Sequence, residues 1–148
     1  MLSTKDFDLE TTTVQEMMID ADKVAHVQLQ NPLEHALLVL AKTGYNAVPV
    51  LDLNSRFCGI ISKSNIIEAM FGVERIEVEQ LNEKIVKDAM DQDIPTLHEE
   101  DTLEKALHVL IDYTFVCVID QQQQMTGILT RRQMLKQFRN QYYQQRGN

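Results

Sequence analysis

The stretch "GIISKSN", Gly59–Asn65, returns later in the chain as "GILTRRQ", Gly127–Gln133. Each runs glycine, two aliphatic residues, a hydroxyl residue and then a cation. An apolar run ending in Ser or Thr before a cationic, helix-favouring stretch reads as a strand handing over to a helix, with Ser62 and Thr130 as N-caps. Working outward, the other blocks repeat as well. "TVQEMM" at Thr13–Met18 matches "IVKDAM" at Ile85–Met90, and "NPLEHALLVL" at Asn31–Leu40 matches "DTLEKALHVL" at Asp101–Leu110. "GYNAVPVLD" at Gly44–Asp52 matches "DYTFVCVID" at Asp112–Asp120. The order is conserved and the offset drifts from 72 to 70 to 68 residues, as two short deletions in the second copy would produce. The chain is an internal duplication.

Each copy predicts the same elements: a short helix, an extended piece ("AHVQL"; "PTLHE"), a longer helix, a hairpin and a closing helix. Asn31 is expected to cap the longer helix, with Pro32 at its first position, Leu33, Ala36, Leu37 and Leu40 as its apolar stripe and Gly44 at its end. "AVPVLD" and "FVCVID" read as buried β-branched strands, and "LNSR" and "QQQQ" as the polar turns of the hairpins. The fold class expected is α/β, with β-α-β-β-α written twice and packed as one pseudo-symmetric module. The expected boundaries are 13–70 for the first copy, 71–84 for an acidic linker of helical spacing, 85–138 for the second copy and 139–148 for a basic tail.

Composition narrows the function. The 148 residues hold 14 Lys+Arg against 22 Asp+Glu, a net charge of −8, which argues against general nucleic-acid binding. Five of the cations lie between Arg131 and Asn148, where there is no acid, so the rest of the chain carries 9 cations against 22 acids. That basic end suits a small anion or an acidic partner surface, or is simply a solvated helix. Cys58 and Cys117 sit in apolar runs and are expected as small core residues, not a disulfide. No apolar run reaches a membrane span, and the first ten residues lack the pattern of a signal peptide, so a cytoplasmic protein is expected.

The start of a helix offers unpaired amides and the positive end of its dipole, and both favour an anion. Thr130 can add a hydroxyl, and Arg131 and Arg132 can add charge and forked donors for phosphate. The alternative is that the arginines merely begin an exposed helix. His26, His35, His98 and His108 lack zinc-ligand spacing, so no metal is expected. No glycine-rich phosphate loop and no catalytic nucleophile is visible, and no enzyme is expected. Met17, Met18 and Met90 are expected to fill core between the copies.

The duplicated unit, with Gly-x-x-Ser/Thr closing its last strand in both copies, resembles the CBS domain, two of which pack as a Bateman module. The resemblance covers about Thr13–Phe138. The stretches "MIDADKVAHVQ", "NPLEHALLVLAKTGYNAVPVLD", "FGVERIE", "DIPTLH" and "LTRR" are further similar to the stand-alone CBS proteins of the CbpB/DarB type, which bind cyclic di-AMP. The resemblance implies a ligand site formed by Lys23, Val24, Ala25, His26, Tyr45, Asn46 and Ala47 with Thr130, Arg131 and Arg132. Backbone near Ala25 and Ala47 would read an adenine edge, and Tyr45 would pack on the base unless it fills core. It implies a second, weaker or empty cleft at Ser62, Lys63, Thr96, Phe115 and Cys117. Many AMP- or ATP-binding members continue Ser/Thr-x-x-Asp, the Asp holding the ribose diol. Asn65 and Gln133 stand there in this chain, which suits a cyclic dinucleotide whose 3′-oxygens are esterified. The implied ligand is cyclic di-AMP, with no cofactor. The implied partners are a second copy and, in the ligand-free state, the bifunctional (p)ppGpp synthetase/hydrolase and pyruvate carboxylase. An AMP or ATP energy sensor and a ligand-free adaptor remain as alternatives. No catalytic domain is expected beside the module.

Overall fold

A computed structural model describes residues 8–147. The expectation that no leader precedes the fold falls largely on residues 1–7, outside that range. The elements follow the predicted order twice. The first copy has β2 (Val27–Gln28), α1 (Leu33–Thr43), β3 (Ala47–Leu51), β4 (Phe57–Ser62) and α2 (Lys63–Ala69). The second has β5 (Thr96–Leu97), α5 (Leu103–Leu110), β6 (Phe115–Ile119), β7 (Met125–Thr130) and α6 (Arg131–Arg146). The first copy opens on a 3-10 turn, Val14–Glu16, and the second on a single-turn helix, α4 (Val86–Ala89); between the copies lies a further single turn, α3 (Gln80–Glu83). Most of the linker expected to be helical, 71–79, is therefore irregular. α6 runs on without a break past residue 138, so the basic end of the chain is the rear of a helix.

The compact units do not follow the copies. One comprises residues up to Val24, then Pro95–Gln121 and the chain from Met125; the other comprises Ala25–Ile94 with Gln122–Gln124. Each copy thus gives its opening segment to the other copy's unit. In the first unit the sheet order is β1-β7-β6-β5, where β1 is Ile19–Asp20 from the first copy, antiparallel to β7. In the second unit the order is β2-β3-β4, and Asp91 of the second copy bridges Ile60 on β4.

The glycine of each repeated motif makes that exchange possible. A Cβ on Gly127 would collide with the Ile19 carbonyl oxygen, and one on Gly59 with the Asp91 carbonyl oxygen. Only a residue without a side chain lets the visiting segment approach the strand so closely.

The cores match position for position, with the same exchange. Leu33, Ala36, Leu40, Val48, Val50, Ile61 and Ile66 pack around Val86, which comes from the second copy. Leu103, Ala106, Leu110, Val116, Val118, Leu129 and Met134 pack around Val14, which comes from the first. Met17 and Met18 lean on the second of these cores and Met90 on the first. The methionines therefore do fill core between copies, but as parts of separate units.

Asn31 does not cap α1. The N-cap is Pro32 without a side-chain bond, and the Leu33 amide donates to the Lys84 carbonyl (3.0 Å). The visiting segment takes the role intended for Asn31, whose Oδ1 instead accepts from the Gln28 amide at 2.8 Å. Leu103 is held in the same way, by the Thr12 carbonyl at 2.9 Å. Gly44 does end α1, in the left-handed conformation (φ 77°), its amide on the Leu40 carbonyl. Both cysteines are free thiols; Cys117 is buried and Cys58 is half-buried.

Candidate functional site

β7 delivers Thr130 to the start of α6, and a reciprocal cap holds the junction. The Thr130 Oγ1 accepts from the Gln133 amide (3.1 Å), and the Gln133 Oε1 accepts from the Thr130 amide (2.9 Å). The Gln133 Nε2 donates to the Met17 carbonyl at 2.7 Å, tying the visiting segment to the helix. The Thr130 hydroxyl also reaches Gln133 Oε1 at 3.1 Å. Asn65 closes the equivalent box with Ser62 in the other unit, both bonds at 3.0 Å. The residues standing where an Asp was looked for are therefore neutral and occupied in capping. A side-chain amide can accept from the N-cap amide and still donate elsewhere, which a carboxylate cannot do.

The two adjacent arginines have different duties. The Arg131 Nε donates to the Leu110 carbonyl (2.8 Å) and its Nη2 to the Ile111 carbonyl (3.1 Å), so its guanidinium closes the end of α5. A cation is favourable there, since a helix C-terminus carries partial negative charge. The Arg131 amide is also taken, by the Thr114 carbonyl at 2.9 Å. The Arg132 side chain is exposed and has no hydrogen-bond or ion-pair partner among the described residues. Of the two, Arg132 is the one open to a ligand.

A groove of about 480 Å³ runs along this end of α6, lined by Thr114, Arg131, Arg132, Leu135, Lys136 and Arg139. No acid lines it, so it favours anions. Of the residues expected at the ligand site, only Arg131 and Arg132 line it. Thr114, Leu135, Lys136 and Arg139 were not foreseen as lining residues, although the helical spacing of Arg132, Leu135, Lys136 and Arg139 could have shown it. Lys23 closes a 3-10 turn, Ala21–Lys23, that packs against β7 in the same unit, and Val24 follows it half-buried.

The remaining expected residues belong to the other unit. Ala25 packs against its core and His26 is exposed. Tyr45 is 56% exposed, which removes the core-filling alternative. The Asn46 carbonyl accepts from the Lys63 amide (3.0 Å), and Ala47 pairs with Ser62 across β3 and β4. Within this unit Asn46 and Ala47 therefore stand beside Ser62 and Lys63 of the expected second cleft.

In the first unit, Phe115 pairs with Thr130 and Thr96 pairs with Cys117. Cys117 is 1% exposed, and burial pushes its thiol pKa well above the usual range, so this side chain is sealed from solvent. Among the described residues no group of His, Cys, Asp and Glu is placed to hold a metal ion, and no helix is long and apolar enough to cross a membrane.

Known proteins share this architecture. The CBS domain model matches residues 14–72 and again 86–140. Cyclic di-AMP receptor B of Bacillus subtilis (strain 168) is 49% identical over 137 residues, 93% of each chain. The crystal structure of Listeria monocytogenes CbpB in complex with c-di-AMP is 46% identical and superposes with a TM-score of 0.82, covering 86% of this chain and 96% of that one. A CBS domain-containing protein from Bacillus anthracis is 47% identical, with a TM-score of 0.82 over 89% of this chain and 96% of its own. With both copies matched and the fold shared throughout, this chain belongs to the CBS-domain family, as a tandem pair of that domain.

Proposed function

We propose that the protein is a receptor for cyclic di-AMP that catalyses no reaction and engages protein partners according to whether the nucleotide is bound. Relatives named for that nucleotide, or crystallised with it, support the reading at 46–49% identity. The observation in this chain that carries it is the start of α6. Arg132 is unpaired beside a cap closed by neutral Gln133. A carboxylate in place of Gln133 would suit a free ribose diol and repel a bridging phosphate. A neutral amide leaves the phosphate to Arg132, at a helix end already favourable to anions.

On this reading Arg132 pairs with a phosphate, and Arg131 contributes its charge while holding α5. Lys23 adds a third cation, and the Thr130 hydroxyl turns from Gln133 toward a phosphate oxygen. Val24, Ala25 and Ala47 admit the base closely, His26 and Asn46 flank it, and the exposed ring of Tyr45 packs on its face. Ser62, Lys63, Thr96 and Phe115 form a weaker site or an empty one. The protein works in the cytoplasm as a homodimer. Its ligand-free form binds enzymes such as the (p)ppGpp synthetase/hydrolase and pyruvate carboxylase.

Calorimetric titration with cyclic di-AMP, AMP, ATP and cyclic di-GMP tests the reading. Tight binding of cyclic di-AMP alone is expected. Tighter binding of AMP or ATP would make the protein an adenylate sensor. Silence with all four would make it an adaptor.

A further inference from the structure

We infer that segment 71–83 is a docking surface for another protein, and that its occupant is a basic amphipathic segment in which lysine or arginine flanks an apolar face. The inference rests on the reading above that the protein engages partners, and it names the chemistry of one of them; it does not depend on the nucleotide.

The segment lies wholly within the unit Ala25–Ile94. Phe71, Val73, Ile76 and Val78 are exposed by 60%, 103%, 58% and 60%. Four exposed apolar side chains so close together call for a cover. Phe71 and Ile76 pair in an antiparallel bridge, which sets their side chains on the same side of the backbone.

The segment is also held in shape before any partner arrives. The Gly72 amide donates to the Arg75 carbonyl (2.8 Å) and the Glu77 amide to the Met70 carbonyl (2.6 Å), closing a hairpin. A Cβ on Gly72 would meet the Arg75 carbonyl oxygen at 2.9 Å, so the closure needs a glycine. The Gln80 Nε2 donates to the Glu77 Oε1 at 3.0 Å, and Lys84 Nζ ties the far end to the Ala69 carbonyl at 3.0 Å. Leu81 packs against the core of the unit. A stretch that only joins two copies needs no such fixing. A recognition surface gains from it, because less freedom is lost on binding.

Charge chooses the occupant. Glu74, Glu77, Glu79 and Glu83 against the single Arg75 leave the segment at −3. Arg75 is already taken by Glu79. The carboxylates of Glu74 and Glu83 have no hydrogen-bond or ion-pair partner among the described residues. Free carboxylates among exposed apolar side chains favour a partner that brings cations beside an apolar face of its own. The same segment of a second copy would set four glutamates against four. The charge is opposite to that of the α6 groove, so the two surfaces select different partners.

The test is an NMR titration of the full chain, labelled with nitrogen-15, with three short synthetic peptides. The first has lysines and leucines at helical spacing, giving it an apolar face with cationic flanks. The second replaces its lysines with glutamate, and the third replaces its leucines with serine. The first is expected to move the amide signals of residues 71–83 and to bind at least about tenfold more tightly than either of the others. The chain carrying Val73→Ser, Glu74→Lys and Glu83→Lys is expected to bind the first peptide at least about tenfold more weakly. Its signals outside the segment should be unchanged, since these side chains touch nothing the fold needs. Failure of the first peptide to bind, shifts centred on another acidic stretch such as Asp20–Asp22 or Glu99–Asp101, equal binding of the serine peptide, or normal binding by the variant would each overturn the inference. So would shifts of residues 71–83 on simple dilution of the chain, which would give the surface to a second copy. Cyclic di-AMP titrated into the same variant is expected to bind as it does to the unaltered chain. Loss of peptide binding with the nucleotide still bound sinks only the docking surface, and loss of nucleotide binding in the unaltered chain sinks only the receptor reading.

Discussion

Arg131 and Arg132 are neighbours with the same side chain, and their surroundings divide the work. Arg132→Ala is expected to weaken cyclic di-AMP binding about tenfold to a hundredfold, the loss of a charge-assisted hydrogen bond of roughly 1.5–3 kcal/mol, with folding stability unchanged. Arg131→Ala removes two donors from the end of α5 and is expected to lower stability as well, by about 1–2 kcal/mol. Calorimetry and urea denaturation on the two variants check this; equal stability losses would mean that Arg131 does not hold α5. The two thiols differ in the same local way. Alkylation needs the thiolate, and burial raises both pKa values, far more for Cys117 than for half-buried Cys58. Iodoacetamide is expected to label Cys58 slowly in the native protein and Cys117 only after unfolding, as peptide mass spectrometry would report.

At the scale of elements, the informative feature is the exchange of opening segments. Val14 is fully buried in a core otherwise built by the second copy. Val14→Ala is expected to destabilise the protein by about 1.5–3 kcal/mol, from two buried methyl groups and the cavity they leave. Gly127→Ala places a methyl group against the Ile19 carbonyl in the same unit and is expected to cost about 1–3 kcal/mol through the shift it forces on β1. Urea denaturation checks both. A neutral Val14→Ala would show that the opening segment is not part of that core.

Over the whole molecule the charge is lopsided: in an acidic chain, α6 carries five cations and no acid. On the proposed function, an acidic partner surface would be drawn to that helix while the start of α6 is empty, and a ligand carrying two phosphates there would cancel much of the attraction. The expected outcome is mutual antagonism, and linkage makes it symmetric: the factor by which the ligand weakens the partner equals the factor by which the partner weakens the ligand. Ligand affinity measured with and without saturating partner, against partner affinity with and without saturating ligand, checks it. Unchanged affinities in both directions would leave ligand and partner uncoupled and remove the switch.

The duplication, the order of elements, the apolar stripes of α1 and α5 and the caps at Ser62 and Thr130 were all legible in the sequence, because each depends on residues a few positions apart. So was the chemistry of an anion-favouring helix start at Thr130–Arg132. Asn31 shows where local reasoning stops: it had every local feature of a cap, and the Lys84 carbonyl, more than fifty residues away, took its place. In the same way Arg131 was indistinguishable from Arg132 until α5 ended beneath it, and Gln133 was a missing carboxylate until Met17 accepted its amide. The motif glycines were legible as a pattern, but their reason was not, since it lies in segments lent by the opposite copy. Local periodicity determines which elements form. Which copy's core an element joins, and which of two like side chains stays open, depends on contacts between residues far apart in the chain, and only the tertiary structure decides those.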